Sequence, residues 1–390
     1  MQKIQHDVAL IKDNTGAASI TTTADQLNLD TEVYNSNTNA FLIDTANDRI
    51  YANQTGWYKI YASMTAAMGA SGVSSTTRMN PATYIRRNGA TLAPSHSYSY
   101  VRGEGAGANT TTNPTFLLMN LTEGDYVDIY KYLKEDGSNT EKPHTVADES
   151  WLLVEYLGTN DVLLLYDSAG GDILTTGSTA TVIFDTVYHK GGNYSYTPDT
   201  NNIYLNQTRW YEISYQFGWD DLDSGGRHTL CAWVNKNGAA LPYTRQCGYS
   251  RGATGGRYGT IAGNFIVNNT EGDYYELQHY VTGGDAEKEP DSVWFSAFPL
   301  TGPVTAPPAD DFPSVSLDQP PANYINDSQQ YLNITFNATA TDDNGLLNCS
   351  LWHNISGTFA LNQTQLVSGL SDTPQFSLNL TNTSFIWNIG

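Results

Sequence analysis

Ile50-Tyr51-Ala52-Asn53-Gln54-Thr55-Gly56-Trp57-Tyr58-Lys59-Ile60 occurs twice in this chain, the second time as Ile203-Tyr204-Leu205-Asn206-Gln207-Thr208-Arg209-Trp210-Tyr211-Glu212-Ile213. A polar Asn-Gln-Thr turn leads into a strand of alternating character, which puts Tyr58, Ile60, Ala62 and Met64 on one face and Trp57, Lys59, Tyr61 and Ser63 on the other. The copy sorts the same way, with Tyr211, Ile213, Tyr215 and Phe217 inward and Glu212, Ser214 and Gln216 outward. Lys59 and Glu212 differ between copies, and the alternation assigns both to a water-facing side.

The duplication extends well beyond this strand. Asp7-Val8-Ala9-Leu10-Ile11 corresponds to Asp161-Val162-Leu163-Leu164-Leu165, Asp30-Thr31 to Asp185-Thr186, and Asp44-Thr45 to Asp199-Thr200. Arg87-Asn88-Gly89-Ala90 and Lys236-Asn237-Gly238-Ala239 both read as hairpin turns that need positive φ. Tyr100-Val101-Arg102-Gly103 pairs with Tyr249-Ser250-Arg251-Gly252, and Thr122-Glu123-Gly124-Asp125-Tyr126 with Thr270-Glu271-Gly272-Asp273-Tyr274. Each copy closes on an apolar strand, Trp151 to Tyr156 or Val293 to Phe298. The matches keep their order, so the chain carries two tandem domains, residues 1–158 and 159–302. Short strands alternating with Gly/Asn/Asp/Ser turns, and no helical period, give an all-β class.

A Pro-rich linker follows at 303–313, with Pro303, Pro307, Pro308 and Pro313. Residues 314–390 alternate again, for example in Tyr331-Leu332-Asn333-Ile334-Thr335-Phe336, and read as an immunoglobulin-type β-sandwich. The chain ends within what reads as a strand, so this last sandwich is expected to be incomplete. Asn-x-Ser/Thr sequons crowd the segment at Asn326, Asn333, Asn337, Asn348, Asn354, Asn362, Asn379 and Asn382.

The ordered landmarks of the two copies resemble the complement globular-head and tumour necrosis factor superfamily. Val182-Ile183-Phe184-Asp185-Thr186-Val187 with Tyr194 or Tyr196 is similar to that family's first signature strand. Gly56-Trp57-Tyr58-Lys59-Ile60 meets its Gly-x-Tyr-x-hydrophobic centre. Asn88-Gly89, Asn237-Gly238, Gly124-Asp125-Tyr126-Val127 and Gly272-Asp273-Tyr274-Tyr275 supply its turn and Gly-Asp elements. Arg209 departs from the signature glycine, and neither closing strand carries the family's Ser-Gly pair. The resemblance implies a ten-stranded jelly roll that assembles as a trimer. The tail resembles Ig-like domains of archaeal surface proteins and viral structural proteins.

The balance of 19 Lys plus Arg against 40 Asp plus Glu gives a net charge of −21, which repels nucleic acid and anionic lipid. Neither a nucleic-acid partner nor membrane insertion is expected, because no apolar run reaches transmembrane length. The seven histidines are scattered singly, without a motif-level nucleophile or metal partner, so no catalysis and no cofactor is expected. Asp220, Asp221 and Asp223 are weak calcium candidates against a solvated-turn reading, and Asp342-Asp343-Asn344 is similar. Of the three cysteines at least one must lack an intrachain partner; centring a hairpin on Asn237-Gly238 sets Cys231 opposite Thr244 rather than Cys247. Met1 to Asp7 runs straight into the first strand, which reads as a start without a leader.

Function is then expected from assembly and surface contact. Trp57 and Trp210 are candidates to face a neighbouring strand, domain or subunit. Tyr98, Tyr100, Tyr194, Tyr196, Tyr274 and Tyr275 are expected near exposed turns, where tyrosine offers rigid contact area to sugars or a neighbouring subunit. The leading expectation is a virion-surface structural protein, a capsid decoration or head fibre, forming a homotrimer with capsid or other virion proteins as partners. A tail fibre or appendage that binds receptors or host-surface glycans is the first alternative. A prokaryotic cell-surface adhesin or extracellular filament subunit is the second.

Overall fold

The computed structural model describes residues 7–69, 77–103, 109–136, 141–223, 226–252, 255–300, 314–321, 331–342, 346–381 and 386–389. Within them the chain is all-β apart from one 3-10 turn, Pro242–Thr244. It divides into two compact units, Met1–Pro303 and Val304–Gly390. Both copies of the repeat lie in the first.

In the first copy the two faces of the fold are two antiparallel sheets. One runs Thr110–Leu121, Gly56–Ala67, Trp151–Tyr156, Asp7–Lys12, Thr31–Asn35; the other runs Val101–Arg102, Arg78–Arg87, Tyr126–Glu135, Arg49–Ala52, Phe41–Asp44. The first strand pairs with the last, Asp7 opposite Tyr156, so the sequence wraps around the barrel as a jelly roll. The second copy repeats the order: Tyr258–Asn269, Arg209–Asp221, Val293–Pro299, Leu163–Asp167, Thr186–Lys190 in one sheet. Its other sheet runs Tyr194–Thr197, Asn202–Leu205, Tyr274–Thr282, Arg227–Lys236, with Gln246–Arg251 on the last. The jelly-roll expectation is therefore met by strand order alone, in both copies.

Several duplicated motifs turn out to hold one another. Asn88 and Gly89 take φ of 51° and 80°, and Asn237 and Gly238 take 53° and 78°, as a hairpin turn of that type requires. Asn88 Nδ2 donates to Asp125 Oδ1 at 2.5 Å while its Oδ1 accepts from Tyr126 N at 2.9 Å. Asn237 makes the same pair of bonds with Asp273 and Tyr274, at 2.7 and 2.9 Å. The Asn-Gly turn and the Gly-Asp-Tyr segment thus recur together because each satisfies the other's polar groups.

The departure at Arg209 has a steric cause. A Cβ on Gly56 would come 2.8 Å from the Tyr156 ring, so the first copy has no room for a side chain there. In the second copy Pro299 stands at the place of Tyr156, as the pairings Tyr58–Tyr156 and Tyr211–Pro299 show. Arg209 uses the vacated space, buried, donating to the Tyr211 hydroxyl at 3.0 Å and bonded to Asp161.

Two expectations about this region are corrected. Cys231 lies opposite Cys247 and the two form a disulfide. The Pro242–Thr244 turn carries three residues out of the hairpin, and the returning strand restarts at Gln246, which shifts the pairing by three from simple centring. Cys349 is the free cysteine among the described residues and is buried. Lys59 and Glu212, assigned to a water-facing side, are both buried.

The second unit contains two small antiparallel sheets. Ser314–Gln319, Tyr331–Thr341, Ser371–Asp372 and Gln375–Thr381 form one; Ala360–Leu366, Asn348–His353 and Trp387–Ile389 form the other. Phe336, Leu351, Phe376 and Ile389 are buried in its core. The linker 303–313, the turn residues Asp343 and Asn344, and the sequon residues Asn326 and Asn382 lie outside the described residues.

Candidate assembly surface

The outward faces of the duplicated strands meet in part across a seam between the two jelly rolls. Lys59 Nζ lies 2.5 Å from Glu212 Oε1 of the second copy and 3.4 Å from Glu155 Oε2 of its own. Glu212 also accepts from the Tyr61 hydroxyl at 3.1 Å and from Asn264 Nδ2 at 2.7 Å. Lys59 and Glu212 are therefore paired in a buried position, with Tyr61 half-buried beside them and Asn264 at the exposed rim; a lone charge there would cost several kcal/mol. Burial, with Glu212 beside it, pushes the Tyr61 phenol far above its usual value, so it stays a donor at every working pH.

Around this pair the seam is apolar. Trp57 packs on His189 with ring centroids 4.3 Å apart, and Phe116 packs on Trp294 at 5.0 Å. Val162, Leu164, Trp294 and Phe298 of the second copy join the core cluster of the first. The two tandem copies thus pack as one compact unit in which each keeps its own two sheets.

Further along, the edge segment that contains Ser97 and Tyr98 docks on the second copy. Tyr98 N donates to Thr260 Oγ1 at 2.8 Å, Asn80 Nδ2 to the Tyr258 carbonyl at 2.9 Å, and Gln216 Nε2 to the His96 carbonyl at 2.7 Å. Lys134 Nζ donates to Glu289 Oε1 at 2.7 Å. The His96 ring stacks on Tyr84 at 5.1 Å, and burial, helped by the Lys134 charge, lowers its pKa to about 4. Below its ordinary 6.5 the unfolded chain takes up a proton that the folded seam refuses, so stability is full above that pH and falls as pH drops toward 4. The loss attributable to His96 is about 3 kcal/mol by the bottom of that window. His96→Phe is expected to make the acid-side decline in melting temperature shallower, though not flat, since His279 is lowered to about 4 by burial as well. An unchanged slope in a pH series of thermal melts would remove His96 from this account.

The sequence-derived candidates fall into distinct places. Trp57 is buried in the seam at 3 % exposure, whereas Trp210, its copy, is 42 % exposed. Tyr98 is buried in the seam, and Tyr100 packs edge-on against Tyr249 with centroids 5.9 Å apart. These two tyrosines line a cavity of about 270 Å³ together with Thr111, Trp219, Tyr249 and Thr260. Tyr194 and Tyr275 are not at exposed turns. Tyr194 is buried with its hydroxyl on the Asp161 carbonyl at 2.9 Å, and Tyr275 is buried with its hydroxyl 3.1 Å from Asn269. Tyr196 is half-buried and bonds both the N–H and the carbonyl of Phe184, while Tyr274 is half-buried against Tyr204. An aromatic next to a turn motif in a jelly roll closes the barrel end as readily as it faces solvent, which is why these two pairs were misplaced.

Of the aspartate candidates, Asp221 and Asp223 come together on either side of His228, whose Nε2 is 3.7 Å from Asp223, while Asp220 lies apart. Asp220 pairs with Arg257, and burial raises its pKa to about 6 despite that partner. Asp221 faces His228, whose Nδ1 is 2.6 Å away, and is likewise raised to about 6 by burial. Asp223 is exposed on the turn. Successive strand residues point to opposite faces, which sends Asp220 and Asp221 apart. Among the described residues no group of three or more His, Cys, Asp or Glu is placed to hold a metal.

Sequence reasoning missed Lys59, Glu212, His96 and Trp294 as seam residues. The signal that could have found the first two was the opposite charge at equivalent positions of a duplicated strand.

Comparison with known proteins adds little to the strand order. No family model matches the chain, and no curated protein matches it. Solved structures of tumour necrosis factor type are similar in part. Murine APRIL at pH 8.0 is matched over 39 % of this chain and 100 % of its own, at 12 % identity and TM-score 0.27. Eiger TNF from S. frugiperda is matched over 39 % of this chain and 92 % of its own, at 11 % identity and TM-score 0.28. The jelly-roll assignment rests on the sheet topology given above. Among the described residues no helix is long and apolar enough to cross a membrane.

Proposed function

We propose that the protein is a structural component of a virion exterior. It serves as a capsid decoration protein or short head fibre that self-assembles as a trimer through its jelly rolls and displays a C-terminal Ig-like sandwich. The observation that carries this reading is the seam, where Trp57, Lys59, Tyr98 and Phe116 are all used in contact between modules. Two further features support an exterior position. The Cys231–Cys247 disulfide suits an oxidising environment, and a net charge of −21 keeps a displayed protein dispersed.

The cavity between Tyr98, Tyr100 and Tyr249 favours a second reading, a tail appendage that holds a host-surface glycan against tyrosine rings. Asn333, Asn348, Asn362 and Asn379 are exposed sequon positions on the second unit and favour a cell-surface adhesin or filament subunit. An antibody raised against the chain separates these readings. On the virion reading it decorates the head of gradient-purified particles in negative-stain micrographs, and the chain is found among the particle proteins by mass spectrometry. Label confined to tails supports the glycan-binding appendage, and label on the envelope of uninfected cells sinks the virion reading in favour of the adhesin.

A further inference from the structure

The cavity lined by Tyr98, Tyr100, Thr111, Tyr249 and Thr260 has walls that match across the duplication. Tyr100 is the equivalent of Tyr249. Thr112, which pairs with Thr65, is the equivalent of Thr260, which pairs with Gly218. Both modules thus bring the same side chains to one place, and the Tyr100 and Tyr249 rings meet there at 5.9 Å. The second module keeps its side of the cavity open. Gly248 and Gly259 line it, and a Cβ on either would strike the Trp219 ring.

Each tyrosine is followed two residues later by an arginine, Arg102 or Arg251, which alternation puts on the same face of its strand. Each of those arginines stands directly opposite another: Arg102 pairs with Arg78, and Arg251 with Arg227. Like charges opposite each other across an antiparallel pair destabilise it. Yet both copies carry the arrangement, in a chain with 40 acidic residues against 19 basic ones. The arginines also border the cavity. Burial raises the Tyr100 pKa against the lowering charges of Arg102 and Arg78, and Arg78 donates to its hydroxyl. Arg251 approaches from the other side, where its carbonyl and the Tyr100 ring both flank Gly256. Its Nε is buried without a hydrogen-bond partner. Arg78 is already engaged by Tyr100, so the second pair is the one placed to meet an anion.

We propose, resting on the glycan-holding reading of this cavity, that it binds one ring of an acidic glycan, a pyranose carrying a carboxylate or a sulfate. The tyrosine rings take the C–H face of the sugar, and the threonine hydroxyls bond its hydroxyls. Thr260 Oγ1 already accepts from Tyr98 N at 2.8 Å, which leaves its O–H to donate. The anionic group lies against Arg251 and Arg227, whose forked N–H groups match two oxygens of a carboxylate or sulfate. Bound there, it offsets the repulsion within that pair. The cavity, about 270 Å³, is smaller than the roughly 300–1,000 Å³ of sites that engulf a whole ligand, so one ring enters and the rest of the glycan stays outside. At physiological salt the net charge of −21 is screened beyond about 8 Å, so the local arginines decide which ligands are attracted.

To test this, the full chain is applied at physiological salt to an array of neutral, carboxylated and sulfated glycans, and those that bind are titrated by calorimetry. Carboxylated or sulfated glycans are expected to bind, and their uncharged parents about tenfold more weakly or not at all. Arg227→Gln with Arg251→Gln is expected to lower affinity for the acidic glycan by about tenfold or more. That variant relieves opposed charges, so its melting temperature is not lowered and lost binding is not lost folding. Tyr249→Ala, at a side chain 42 % exposed, is expected to weaken acidic and neutral glycans alike. Binding confined to carboxylated or to sulfated glycans supports the inference and identifies the anionic group. Neutral glycans that bind as tightly as acidic ones overturn it and leave the glycan reading standing. No binding in any class overturns both. Acidic binding that survives both variants places the ligand elsewhere and overturns the inference as well.

Discussion

Trp294→Ala is expected to destabilise the first unit by about 3–5 kcal/mol, the range for truncating a large buried aromatic. The residue is fully buried, packs on Phe116 at 5.0 Å, and belongs to the core cluster of the neighbouring module rather than to its own. Its loss opens a cavity at the centre of the seam. The consequence separates two descriptions of the molecule. If the modules fold as one body, the variant melts in a single transition at lower temperature. If they fold separately, calorimetry shows two transitions, and neither shifts by the full amount. A wild-type-like melt in Trp294→Ala would mean that the seam contributes nothing to stability.

Lys59→Met should cost nearly as much, for an electrostatic reason. The ammonium neutralises Glu212 at 2.5 Å and Glu155 at 3.4 Å, and both carboxylates lie at the same seam. Removing one partner of a buried pair leaves an uncompensated charge, typically costing about 3–5 kcal/mol. Lys59→Met combined with Glu212→Leu removes the charge problem along with the pair and is expected to recover most of that loss. Glu155 is slightly less buried than Glu212, its side chain 16 % exposed against 10 %, so it needs the lysine somewhat less. Chemical denaturation of the two single variants and the double variant checks this. A double variant as unstable as the sum of the singles would show that the pair is not coupled.

Much of the architecture was legible from the sequence because a duplication is its own control. Positions that stay apolar in both copies, such as Tyr58 with Tyr211 and Ile60 with Ile213, had to be core, and they are. Turn and strand motifs in matched order carried the resemblance that implied a jelly roll. The outward side was not legible, because period-two alternation separates one face from the other and says nothing about whether the second face meets water or another module. Lys59 was read as solvated for that reason. The packing of the two copies into one compact unit was hidden because the contacts join residues far apart in the chain, such as Tyr61 and Asn264. The disulfide was missed by a local count that took the hairpin as uninterrupted. Trp57 and Trp210 show the limit most clearly. Their sequence context is nearly the same, yet one is sealed and the other open, because the difference lies in which end of the pair each occupies.

The space beside Gly56 has a consequence at the level of the gene. Duplicated stretches invite unequal exchange, which would shuffle segments of one copy into the other. A hybrid that carried arginine at position 56 with Tyr156 still in place would drive a side chain into that ring, where even a Cβ comes within 2.8 Å. Recombinants of that kind would be removed at the folding step. The glycine with its tyrosine, and the arginine with its proline, thereby act as matched pairs that cannot be exchanged singly between the copies.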